Sequence, residues 1–267
     1  GIKESKRMRR NKLSFLMVLA LVFFMTGCAS SQSQQTSKQE KDPQYHYNLG
    51  LFYLNNNNVD EAIKCFNRSL SLNQNNYLAW NALGLAQSMK TNFEASVQAF
   101  SRALAINPQF SEAHNNLGTI YFELKQYDKA ETEYRKALLD PAYTSRELPY
   151  YNLARLYFVQ DRLEEAYDHI QKALQIKFRF GMAHNLRGLI LEKMGDLEEA
   201  ENAFAQAVKI VPDDPVFLYN LARIQFDNGR YVQSKENFEK LLPRLVNQAD
   251  RDEVKSYLDQ LKQLVKD

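Results

Sequence analysis

A short phrase recurs six times along this chain at a spacing of 34 residues, and that recurrence leaves little choice of architecture. Asn48-Leu49-Gly50 returns as Ala82-Leu83-Gly84 and Asn116-Leu117-Gly118, then as Asn152-Leu153-Ala154, Leu186-Arg187-Gly188 and Asn220-Leu221-Ala222. The register breaks once, by two extra residues between the third and fourth copies. A period of this size predicts a solenoid, in which each repeat packs chiefly on its neighbours.

The pattern inside each copy is equally regular. Twelve residues after the small residue that ends the phrase comes another: Ala62, Ser96, Ala130, Ala166, Ala200 or Ser234. Four further on is a large one: Phe66, Phe100, Tyr134, Ile170, Phe204 or Phe238. Three beyond that stands Ser69, Ala103, Ala137, Ala173, Ala207 or Leu241. Small residues let two helices approach closely, and the large one is expected to fill the gap between neighbouring repeats. Turn signals separate the halves, as at Asn55-Asn56-Asn57-Asn58, Lys193-Met194-Gly195-Asp196 and Asp227-Asn228-Gly229-Arg230. Pro108 and Pro212 follow the second helix. The unit is helix, turn, helix, turn.

This spacing resembles the tetratricopeptide repeat over residues 43–241. The expected fold is all-α: a right-handed solenoid of six helix pairs over 43–243, starting near residues 43, 77, 111, 147, 181 and 215. A capping region, 244–267, would close the last repeat, since Val254, Tyr257, Leu258, Leu261, Leu264 and Val265 fall at helical spacing. One position varies in character, carrying His46, Trp80, His114, Tyr150, His184 and Leu218 in turn. Arg187 replaces the apolar residue before Gly188, which predicts looser packing in the fifth repeat.

The N-terminus carries a second message. Lys6, Arg7, Arg9, Arg10 and Lys12 precede an apolar run from Leu13 to Met25, too short for a membrane span of roughly 20 residues but suited to a signal-peptide core. Met8 is the expected start, because Gly1 cannot initiate. The run ends in Met25-Thr26-Gly27-Cys28, which resembles a bacterial lipobox, so 1–27 is read as a lipoprotein signal and Cys28 as the lipidated residue. A multiply acylated cysteine would hold the chain stably on a membrane, where one acyl chain holds it only marginally. By the same resemblance, the absence of aspartate after Cys28 implies the periplasmic face of the outer membrane. The polar residues 29–42 form an expected tether with a reach of roughly 20 Å.

Composition then narrows the chemistry. Removing residues 1–27 takes six Lys/Arg and one Glu from totals of 34 and 32, leaving 28 basic against 31 acidic residues. No basic block with interleaved aromatics remains, which argues against nucleic acid. Cys65 is then the single thiol besides Cys28, expected to be buried and inert. Three of the four histidines share one repeat position, and no two lie three or four residues apart as zinc ligands on a helix would. There is no Gly-rich phosphate loop and no nucleophile elbow. Glu164-Glu165 and Glu198-Glu199 recur at equivalent places and read as solvated faces. No catalytic residues, metal, cofactor or small-molecule substrate is expected.

What remains is a binding surface. In the tetratricopeptide family the first helix of each repeat lines a concave groove, which puts Asn48, Asn116, Asn152 and Asn220 there, with Asn81, Asn115 and Asn185 beside them. An amide both donates and accepts, so a ladder of them suits an extended peptide. Leu51, Phe122, Phe158 and Phe226 add apolar groups, and Arg155 and Arg223 supply the only cations at groove positions, too few for a carboxylate clamp. A lipobox, a short tether and six repeats together resemble the type IV pilus biogenesis lipoproteins known as pilotins. That resemblance implies a non-catalytic adaptor whose protein partner is a pilus secretin or another envelope assembly protein. A general periplasmic scaffold recruiting cell-wall hydrolases or proteases is the alternative, and the regulatory part of an enzyme such as a glycosyltransferase is a further one.

Overall fold

The computed structural model describes residues 40–265. The signal segment, Cys28 and most of the tether lie outside the described residues. Within them the chain is all-α and of the tetratricopeptide solenoid class: twelve helices in six antiparallel pairs, then a 3₁₀ turn and a final helix. Among the described residues the pairs fall into two compact units, divided between Asn107 and Pro108.

The first unit holds α1 (Pro43–Asn55), α2 (Val59–Leu72), α3 (Tyr77–Met89) and α4 (Phe93–Ile106). Asp42 starts α1 by accepting from the Gln44 amide at 2.8 Å, with Pro43 preset for the first helical position. Asn76 caps α3 through the Ala79 amide at 3.1 Å. Phe66 and Leu70 of α2 are buried against Ala79, Ala82 and Ala86 of α3. Cys65 is buried beside them, and burial together with the Glu61 carboxylate pushes its thiol up, keeping it protonated.

The second unit holds α5 (Ser111–Glu123), α6 (Tyr127–Ala137), α7 (Glu147–Val159), α8 (Leu163–Ile176), α9 (Gly181–Met194), α10 (Leu197–Ile210), α11 (Pro215–Asp227), α12 (Tyr231–Leu241) and α13 (Gln248–Leu264). The two extra residues lengthen the loop between α6 and α7. Glu164-Glu165 and Glu198-Glu199 occupy the first turns of α8 and α10, where negative charge complements the exposed amides of a helix start. The capping helix α13 lays Val254, Leu258 and Leu261 on Phe238 and Leu241. Each such buried aliphatic side chain contributes about 1.5–3 kcal/mol.

One contact repeats through both units. In four repeats the large residue of the second helix lies on the glycine of its own repeat's first helix, and it also fills the gap to the next repeat as the spacing suggested, as Phe66 does against Ala79 and Ala82. A Cβ added to Gly50, Gly84, Gly118 or Gly188 would sit 2.5, 2.6, 2.7 or 2.5 Å from the ring of Phe66, Phe100, Tyr134 or Phe204. The fifth repeat is thus as tight as the first, despite Arg187, whose guanidinium reaches Glu199 at 3.3 Å. Where the small residue is Ala154, the partner is Ile170 rather than a ring. At the neighbouring small position, the Ser96 and Ser234 hydroxyls donate to the carbonyls of Gly84 and Ala222 at 2.8 and 2.7 Å.

The turn inside every repeat is also the same. Asn57, Thr91, Lys125, Asp161, Gly195 and Gly229 all take positive φ, from 57° to 86°. The next residue's amide reaches back to the first helix, as from Asn92 to Gln87 and from Asp196 to Leu191. This is a Schellman closure, built with glycine in only two of the six repeats.

Candidate functional site: the amide rows on the first helices

In the second unit α5, α7, α9 and α11 lie side by side, and their facing residues are the predicted groove positions. The asparagines do not stand as separate clamps. Asn152 Nδ2 donates to Asn115 Oδ1 at 2.9 Å, and Asn220 Nδ2 donates to Asn185 Oδ1 at 2.8 Å. Each bond joins one repeat to the next. Asn115, Asn152 and Asn220 are buried, at 6%, 9% and 8% exposure, while Asn116 and Asn185 are half-buried. An amide has two N–H groups and two acceptor lone pairs, so each pair retains further bonding capacity toward the groove. In the first unit Asn48 is exposed and accepts from Gln44 at 2.9 Å, whereas Asn81 is buried.

Both groove arginines are held by carboxylates of the preceding repeat. Arg223 meets Glu192 with two parallel bonds of 2.5 and 2.6 Å and lies 3.5 Å from Asp227. Burial raises the Asp227 carboxyl and Glu192 adds to that, with Arg223 opposing both. Arg155 lies 3.7 Å from Glu123, and its guanidinium stacks over Phe122 at 4.5 Å. Phe158 carries Lys193 over its ring, and Phe226 packs edge-on to Tyr231 and Tyr257. Leu51, Phe122, Phe158 and Phe226 are half-buried, so they present part of each side chain to the surface.

The variable position with three histidines has a single structural role. Its ring N–H reaches the carbonyl six residues earlier, in the loop that enters the repeat. The distances are 3.0 Å for His46 to Glu40, 2.9 Å for Trp80 to Gln74, 3.0 Å for His114 to Pro108 and 2.8 Å for His184 to Phe178. Tyr150 and Leu218 make no such bond, and Tyr150 packs against His169 instead. The sequence placed these residues at one shared repeat position; only the shared six-residue offset could have revealed the bond.

Further polar side chains tie helices together in the second unit, both within a repeat and between repeats. His114 Nδ1 bonds Glu133 at 2.6 Å, and Lys136 adds a 2.8 Å contact. Burial pushes the Glu133 carboxyl up, but these two partners outweigh it and hold it below the usual range. Tyr157 donates to Glu131 and accepts from Arg135, both at 2.7 Å, and burial drives its phenol up to about 12. Among the described residues no group of three or more His, Cys, Asp and Glu converges on one point, and no helix is long and apolar enough to cross a membrane.

Comparison with known proteins agrees with this geometry. Tetratricopeptide repeat profiles match residues 43–76, 77–110, 99–132, 149–180 and 191–258. The type IV pilus assembly protein PilF of Pseudomonas aeruginosa is 24% identical over 231 residues, spanning 84% of this chain and 77% of PilF. The human protein O-mannosyl-transferase TMTC3 is 30% identical over 191 residues, but these cover 66% of this chain and only 21% of that protein. Among solved structures, Pseudomonas aeruginosa PilF aligns with a TM-score of 0.73 at 17% identity, covering 82% of this chain and 99% of PilF. PilW, a type IV pilus biogenesis factor, aligns with a TM-score of 0.73 at 19% identity, covering 79% of this chain and 97% of PilW. A repeat matched along most of its length, with the packing that repeat requires, places this chain in the tetratricopeptide repeat family, as a protein similar in fold to PilF and PilW.

Proposed function

We propose that this protein is a non-catalytic scaffold for type IV pilus biogenesis, anchored through a lipid on Cys28 to the periplasmic face of the outer membrane, where it assists localisation or assembly of the pilus secretin. The observation that carries this reading is the end-to-end correspondence with PilF, which spans 84% of this chain and 77% of its relative. The mannosyl-transferase shares only a repeat segment amounting to 21% of its length, so its chemistry is not inherited. The row of first helices supplies the binding face: amides with spare donors and acceptors, and half-buried Phe122 and Phe158 between them.

Co-purification of the secretin with the full-length protein from cells tests the partner. Replacing Asn116 and Asn152 with Ala removes two peptide-facing amides and weakens capture about 5- to 150-fold if each contributes on the order of 0.5–1.5 kcal/mol. Because Asn152 also bonds Asn115, circular dichroism must accompany the measurement. Full secretin recovery by the folded double variant would move the site off the first helices. Palmitate labelling that persists in Cys28→Ser would overturn the anchor.

A further inference from the structure

The first unit holds a cleft of about 530 Å³ away from the amide rows, between the second helices of repeats one and two. Three helices and a loop build it. Asn67 comes from α2, Asn75 from the loop after it, Trp80 from α3 and Arg102 from α4. Ligand clefts commonly have a volume of this order.

Each wall has a distinct chemistry. Trp80 is the only tryptophan in the chain and is half-buried. Its indole N–H is already committed to the Gln74 carbonyl at 2.9 Å, which pins the edge of the ring and leaves the flat apolar face as its contribution. Arg102 is exposed and forms no ion pair among the described residues, unlike Arg135, Arg155, Arg162 and Arg223, each of which meets a carboxylate. Among the described residues no acidic side chain lines the cleft, and Arg102 is its one cation. The side-chain amides of Asn67 and Asn75, which line the same cleft, offer donors and acceptors.

We propose that this cleft binds an acidic carbohydrate, with one sugar ring stacked on Trp80, its hydroxyls on the asparagine amides and its carboxylate on Arg102. A sugar ring has an apolar C–H face and a polar rim, matching a cleft that combines a flat indole with side-chain amides. An extended peptide would instead require bonding groups in a row along one direction, as the first helices provide and this cleft does not. The inference is independent of the pilus reading, because it concerns a cleft away from the amide rows and a different class of ligand.

Trp80 reports on its own site, since no other indole contributes to the emission. The full chain is titrated with an oligogalacturonate, with its neutral methyl ester and with an acidic peptide of equal charge. The acidic sugar saturably shifts tryptophan emission with a Kd of about 1 mM or tighter. The methyl ester binds about tenfold more weakly or worse, and Arg102→Gln loses a similar factor toward the acidic sugar. Trp80→His retains the ring N–H bond that three other repeats make with histidine, so the fold persists; calorimetry then shows sugar binding lost. An emission that ignores the acidic sugar, equal affinity for the methyl ester, binding indifferent to Arg102→Gln, or preference for the peptide would each overturn the proposal.

Discussion

Replacing Gly84 with Ala probes the contact that sets the distance between the two helices of a repeat. The new Cβ would lie 2.6 and 2.7 Å from Phe100 Cε1 and Cδ1 and 2.9 Å from Cζ, closer than real Cβ atoms come to any neighbour. Phe100 is fully buried and cannot swing away, so the helices must part or the ring must leave its rotamer. Such overpacking costs about 1–3 kcal/mol. Ala outranks Gly inside a helix by about 0.8–1.0 kcal/mol, which leaves a net loss of about 0–2 kcal/mol. Repeat four pairs Ala154 with the smaller Ile170, while repeat six keeps Ala222 with Phe238 in one buried cluster, so an alanine tolerates a ring only where the backbone is already spaced for it. Phe100→Ile should therefore relieve the clash in Gly84→Ala, although alone it leaves a cavity and costs stability. The assay is urea unfolding followed by circular dichroism for the two single variants and the double. A coupling energy of about 1 kcal/mol or more in favour of the double variant is expected. Losses that add to within about 0.3 kcal/mol would refute the idea that small and large residues are matched within each repeat.

Further predictions follow from other contacts. Thr91→Gly relieves a β-branched residue at φ 57° and should raise stability by about 0.5–1 kcal/mol in urea unfolding, the left-handed strain removed exceeding glycine's entropic cost. Asn152→Ala strands the buried Asn115 carbonyl and should cost about 1–3 kcal/mol by the same assay. Burial holds the His184 imidazole below its usual value, more strongly than its bond to Phe178 raises it, and Arg187 adds to the lowering. The unfolded chain then takes up that proton first, so stability is full above about pH 6.5 and declines as pH falls below it. A stability–pH series should show a shallower decline in His184→Leu, with a residual slope from His169, which is depressed in the same direction.

Much of the fold was legible because a solenoid states its rules repeatedly. Gly50, Ala62 and Phe66 mean little once, but six copies at one period expose which positions must be small and which large. The second half of that contact was not legible, since spacing does not say that a ring facing the next repeat also rests on the glycine of its own. Thr91, Lys125 and Asp161 gave no sign of a left-handed turn; the packed helices on either side impose it against their local preference. The groove asparagines could be placed on the first helices, but not their pairing. Asn152 meets Asn115 and Asn220 meets Asn185 through ångström-scale register between repeats, which no single helix encodes. Arg155 and Arg223 likewise looked like available cations because their carboxylate partners, Glu123 and Glu192, lie 32 and 31 residues away.

The ring N–H that closes the loop entering a repeat asks for a donor at one height and nothing more. Histidine supplies it in three repeats and tryptophan in one, with bond lengths that differ by only 0.2 Å. An exchange of one ring for the other is thus nearly silent to the frame while it alters the surface around it. Such a site is a place where duplicated modules can diverge in lineage after lineage without passing through an unstable ancestor. Variation would be expected to gather at residue 80 and its counterparts, and to be scarce at Gly84 and its counterparts, one turn further along the same helix.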